Sequence, residues 1–200
     1  MSFFPPPPER PADTRDPNRP TQPRWMQPPK DEIPARVPLS ALLARTGDVA
    51  FVMPDIEVYS DGCSFRLQWT LRRGARTDAE WQRTQSAFLE HRGFLMTESE
   101  TGLRFGVQFS DGTRVIHTRG YLLDEDATAP VNRLWFQTSG GSGDDDRSVQ
   151  RGGLWLWPLP PPGPLSVVFQ WGAFGIPQTD FEVDATALLA ASKNVRPLWD

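Results

Sequence analysis

Few residues in this chain have the means to do chemistry, and they are easily surveyed. His91 and His117 are its two histidines, and Cys63 is its one cysteine. A metal centre built from several histidines or cysteines is therefore excluded, as is an intrachain disulfide. Cys63 opens a run that alternates apolar and polar side chains. It falls on the apolar side, where a thiol is a small buried hydrophobe rather than a nucleophile. Gly140-Gly141-Ser142-Gly143-Asp144 approaches the G-x-S-x-G pattern of a nucleophilic serine and fails at the last glycine. As a phosphate cradle the same stretch lacks a following Lys-Ser/Thr, and Asp144-Asp145-Asp146 would repel the anion.

Two carboxylate clusters remain, Asp124-Glu125-Asp126 and Asp144-Asp145-Asp146. Asp124, Asp126, Asp144 and Asp146 are weak candidates for holding a hard cation, because Ca²⁺ takes oxygen ligands. Neither cluster has the spacing or the glycine of an EF-hand, and both read as solvated loops. No metal and no cofactor is expected. His91 falls in the last turn of an expected helix, where a cation meets the helix dipole favourably, and His117 lies on a strand beside Val115.

Tryptophan offers the stronger lead. In Leu154-Trp155-Leu156-Trp157 both faces of a strand are apolar. Such a strand is covered on both sides, or one side is a binding surface. With the leucines in a core, Trp155 and Trp157 point the other way. The helix expected at 78–92, carrying Trp81 and Phe88, is the element available to cover them. Trp25-Met26 is the only apolar pair in the middle of the proline-rich N-terminal stretch. Trp155, Trp157 and Trp25 are accordingly the candidate binding residues.

The elements that must position these groups are mostly strands. Cys63, Phe65, Leu67, Trp69 and Leu71 alternate with Ser64, Arg66, Gln68, Thr70 and Arg72, so one face of this strand is core. Leu103 to Phe109 alternates in the same way. Asp61-Gly62 and Asp111-Gly112 are hairpin signals. Thr77-Asp78-Ala79-Glu80 fits a capping box before the amphipathic run to residue 92. Asp184 caps a second, short helix near the C-terminal end. The spacing of Leu39, Leu42 and Leu43 predicts a short helix over 38–46, and Ser139 to Asp146 reads as a Gly/Ser/Asp loop. Pro160 to Pro164 forms a rigid turn between two aromatic-rich strands. About nine short strands with turns between them predict an all-β fold: an antiparallel β-sandwich, immunoglobulin-like in outline, with one inserted helix and a short C-terminal helix.

Domain organisation follows from composition. Twelve of the 21 prolines fall between Pro5 and Pro38. Residues 1–37 are expected to be a disordered, polyproline-biased arm, 38–46 a linker helix, and 47–200 the sandwich. The formal net charge of −4 does not favour nucleic acid. No run is long enough to span a bilayer, Met1-Ser2-Phe3-Phe4-Pro5 has no signal-peptide character, and a cytoplasmic location is expected.

Trp157-Pro158-Leu159-Pro160-Pro161-Pro162-Gly163-Pro164-Leu165, followed by Trp171-Gly172-Ala173-Phe174-Gly175-Ile176-Pro177, resembles a signature of an uncharacterised family of actinobacterial proteins. The resemblance extends to the Pro-rich start, the Gly-rich stretch and Trp199, with Gln178 where Glu is more usual. It implies no activity and transfers no catalytic residue. The function expected from the sequence is a non-enzymatic protein-binding or adaptor module. The alternatives are a small hydrolase using clustered acidic residues and a carbohydrate-binding sandwich using Trp155 or Trp157.

Overall fold

The computed structural model describes residues 23–89, 101–117 and 131–199. His91, Asp124, Glu125, Asp126 and residues 1–22 of the proline-rich arm lie outside them. Eleven strands and two helices follow one another: β1 (Glu32–Ile33), β2 (Ala35–Arg45), β3 (Val49–Val58), β4 (Cys63–Arg72), α1 (Asp78–Leu89), β5 (Leu103–Gln108), β6 (Arg114–Ile116), β7 (Arg133–Gly143), β8 (Arg147–Trp157), β9 (Pro164–Trp171), β10 (Ile176–Asp184), α2 (Ala185–Ser192) and β11 (Arg196–Pro197). They make an antiparallel β-sandwich. One sheet has the order β2-β3-β4-β8-β7 and the other β10-β9-β5-β6, while β1 and β11 form a separate ribbon.

The alternation in β4 sets the core. Phe65, Leu67, Trp69 and Leu71 are buried between the sheets with Phe51 and Met53 of β3 and Leu154 and Leu156 of β8. Phe105, Val107, Val167 and Phe169 close it from the second sheet. Phe51 stacks on Trp69 at 5.6 Å and on Phe169 at 5.1 Å, so aromatic contacts cross the sandwich. At one seam His117 bridges the two sheets. Its amide donates to Phe105 O (2.9 Å), and its Nδ1 lies 3.3 Å from Leu134 O and 3.4 Å from the Phe136 amide.

The capping box forms as expected. The Thr77 amide and hydroxyl both donate to Glu80, and the Glu80 amide faces Thr77 Oγ1. Asp184 caps α2 by accepting from the Thr186 amide. Three expectations fail. Residues 38–46 are not a helix; most of them lie in edge strand β2. Val37, Leu39, Ala41 and Leu43 face inward at strand period, but exposed Leu42 beside Leu43 completes an equally good helical triplet. Two bulges, and Ser40 with φ 53°, further break the pattern, and Pro38 is tolerated because the strand is an edge. Residues 139–143 are not loop but the far half of β7, with a bulge at Gly140 (φ 132°). Residues 23–37 are not a disordered arm but a strap folded onto the domain.

Candidate functional site

The outer face of the five-stranded sheet carries one row across four strand pairs: Arg36, Glu57, Ser64, Trp155 and Trp135, each opposite the next in register. Glu57 is buried there between Arg36 (2.9 Å) and Arg66 (3.4 Å). Trp155 is buried too, 2% exposed, although it points away from the core. Its indole packs against Gly62: a Cβ on that glycine would collide with the ring and fall 2.7 Å from Leu156 O. The Asp61-Gly62 turn therefore uses its glycine for close approach rather than for a left-handed backbone. Tyr59 meets Trp155 edge-on at 5.6 Å. Burial, and then the nearby Glu57 charge, push the Tyr59 hydroxyl up to about 12, so it stays protonated at neutral pH.

What covers Trp155 is the strap and not α1. The Trp155 indole donates to Arg24 O at 3.1 Å, and Met26 is buried beside it in the chain. Arg24 pairs with Asp61 (3.4 Å), and Glu32 accepts from the Ser60 amide and hydroxyl. Leu198 N then donates to Asp31 O where β1 zips to β11. The expected contact of Trp81 or Phe88 with Trp155 or Trp157 is replaced by another. Phe88 stacks on Trp171 at 5.4 Å and meets Phe174 edge-on, because α1 closes an end of the core rather than the outer face.

The three candidate tryptophans thus part company. Trp155 is structural, holding the strap. Trp25 is half-buried, with the Arg133 guanidinium 5.2 Å over its ring and 5.6 Å over that of Trp135. Trp157 is half-buried with its indole nitrogen enclosed and unpartnered. Trp199, which enters the sequence analysis only through the family resemblance, is exposed, as is Leu198 before it. Register places Ile33 and Leu198 on one face of the ribbon, since Ile33 opposes Arg196 and Asp31 opposes Leu198.

The acidic candidates are committed elsewhere. Asp144 Oδ1 accepts from the Asp146 and Arg147 amides at 2.9 and 2.7 Å, and these bonds, first that from Asp146, hold its carboxyl below the ordinary range. It is the cap of the β7–β8 turn. Asp146 contributes its backbone to that cap, and its carbonyl accepts from the Arg73 amide. Among the described residues no three His, Cys, Asp or Glu side chains come together in a way that would hold a metal. Cys63 is fully buried, which pushes its thiol far up, away from thiolate chemistry.

A second surface feature was not legible in advance. Past Gly152 the inner face of β8 turns polar, with Gln150 and Ser148 opposite Gly141 and Gly143. With Gln85 and Leu89 of α1 these line an open cleft of about 440 Å³. The signal was present as polar residues at core-facing positions of β8. It was masked by reading the glycines opposite as loop.

Comparison of the chain with family models, with curated proteins and with solved structures finds no match.

Proposed function

We propose that this chain is a non-enzymatic module that binds another protein through the strap and ribbon beside the five-stranded sheet. The observation that carries this reading is the exposure of Trp199, 73%, just past the ribbon, together with Leu198, 43%, and Ile33, 38%, which share one ribbon face. A large aromatic left in water at the end of an exposed aliphatic pair is the composition of a protein contact, where tryptophan and arginine supply most of the binding energy. Trp25, Arg133 and Trp135 extend the same chemistry along the strap. Trp157 lies on the strand beside them, and Trp155 positions the strap without touching the partner.

The partner is a protein rather than nucleic acid, since the chain's net charge of −4 gives phosphate no general attraction. No described helix is long and apolar enough to cross a membrane. A nucleophilic role for Cys63 or a cation-holding role for Asp144 would require undoing the burial and the turn described above. Trp155, being covered, offers no flat platform to a sugar.

A photo-reactive amino acid placed at position 199, and separately at exposed Asp180 on β10, tests the reading in cells. A discrete adduct is expected at 199 and not at 180. With the photo-reactive residue moved to exposed Leu198, Trp199→Ala should abolish the adduct while leaving the melting temperature unchanged. Absence of an adduct at 199, or equal labelling at both positions, overturns it.

A further inference from the structure

The polar cleft at the far end of the β7–β8 hairpin is the other place where the molecule departs from what stability alone would select. Inner-facing positions of β8 read Leu156, Leu154, Gly152, Gln150, Ser148. The first two fill the core. Gln150 and Ser148 are equally enclosed, 3% and 2% exposed, yet polar. The positions opposite them on β7 are Gly141 and Gly143, so β7 itself contributes no side chain to this end of the face. The Gln150 carboxamide lies over Gly141, close enough that a Cβ there would collide with it. Its Oε1 is buried and has no hydrogen-bond partner. A buried acceptor left unsatisfied is a standing cost to the fold, and a methionine of similar length would avoid it. Costs of this kind are typically kept where a site needs them.

The lining defines the ligand. Inside the cleft are amides and a hydroxyl, Gln150, Gln85 and Ser148, with Leu89 as one apolar wall. Among the described residues no arginine or lysine lines it, so they offer phosphate or carboxylate no counter-charge there. Asp144 and Asp145 stand at the hairpin turn. Asp144 Oδ1 already accepts from two backbone amides, and among the described residues no three His, Cys, Asp or Glu side chains gather there to hold a metal cation. Amide and hydroxyl groups both donate and accept, which matches a ligand whose own groups do both. The volume falls in the range of small-molecule sites. We infer that this cleft binds a small uncharged polyhydroxy compound, of the size of a monosaccharide or a smaller polyol, with one hydroxyl donating to Gln150 Oε1.

The test is a titration of the isotopically labelled full chain followed by amide resonances. Glucose, myo-inositol and glycerol serve as probes, with inorganic phosphate and spermidine as charged comparators. At least one polyol should shift the Gly141 and Gly143 amides saturably, and phosphate and spermidine should not. Gln150→Met should weaken that binding at least about tenfold, yet melt at or above the wild-type temperature. Gln85→Ala, on the helix wall, should weaken binding several-fold without changing the melt. Unmoved glycine amides with every polyol overturn the assignment. So does a response to phosphate or spermidine instead, or a Gln150→Met protein that melts lower, since the carboxamide would then serve the fold.

Discussion

The two ends of the β7–β8 hairpin share one antiparallel pairing and have opposite fates. At the near end, Arg133–Phe136 and Leu154–Trp157 fill both faces: leucines and Phe136 inward, Trp135 and Trp155 outward under the strap. At the far end, Gly140 to Gly143 faces Ser148 to Arg151, and one face is left open as a cleft. The backbone ladder runs through both, shifted in register only by the bulge at Gly140. What differs is side-chain volume, so the same scaffold is sealed where volume is supplied and hollow where glycine withholds it. Near the strap, Glu57 and the Trp155 indole find partners although the Trp157 indole nitrogen does not, and at the open end the buried Gln150 amide oxygen has none.

The border between the two regimes is Trp69, whose ring lies over Gly152 and packs on Phe51 and Phe136. Trp69→Ala should extend the open end into the core and cost roughly 3–5 kcal/mol, measured by urea denaturation. Gln68→Ala, one residue away on the outer face, should stay within about 0.5 kcal/mol. Similar losses for the two would mean that this border is misplaced.

Next in size is the strap. A chain beginning at residue 37 loses buried Met26, β1 and the cover over Trp155. After allowance for the chain entropy released, roughly 2–4 kcal/mol should go, with a clear drop in Tm and a red shift of tryptophan emission. A truncated protein that melts with the full chain would show that the strap only decorates the sheet.

A single added methyl then separates the ends directly. Gly62→Ala meets the rigid indole of Trp155 and Leu156 O at 2.7 Å, and should cost roughly 1–3 kcal/mol. Gly143→Ala, whose nearest atoms would be Arg147 O at 3.2 Å and the flexible Gln85 Nε2 at 3.4 Å, should stay within about 1 kcal/mol. Equal costs would erase the distinction between a sealed end and an open one.

The smallest effect is in acid. Arg76 holds the Asp48 carboxyl low, and backbone amides do the same for Glu80 (Thr77), Asp111 (Thr113) and Asp144 (Asp146, then Arg147). Each folded-state value lies below the unfolded one. The stabilisation is therefore complete above the unfolded pKa, about 4, and is lost as pH falls through the folded value. Tm should be level from neutral pH to about 5 and decline below about 4. Asp144→Asn should flatten that decline only slightly, since its carboxylate belongs to an exposed turn.

Local chemistry, read from the chain alone, settled the elements whose signal lies within one strand or one turn. The alternation of Cys63 to Arg72 could face its apolar side only inward, and β4 does so along its whole length. Thr77 and Glu80 are three residues apart on a helix, close enough to cap each other in any tertiary setting. Asp184 and the Asp111-Gly112 turn are legible for the same reason. The tertiary structure alone decided which element covers which. Trp155 had to point away from Leu154 and Leu156, but its cover comes from Arg24 to Met26, about 130 residues earlier, a pairing no local pattern encodes. Likewise Gly141 and Gly143 read as loop until register set them against Gln150 and Ser148. A glycine carries no side chain to declare its face, so only the strand beside it fixes whether it turns the chain or hollows a site.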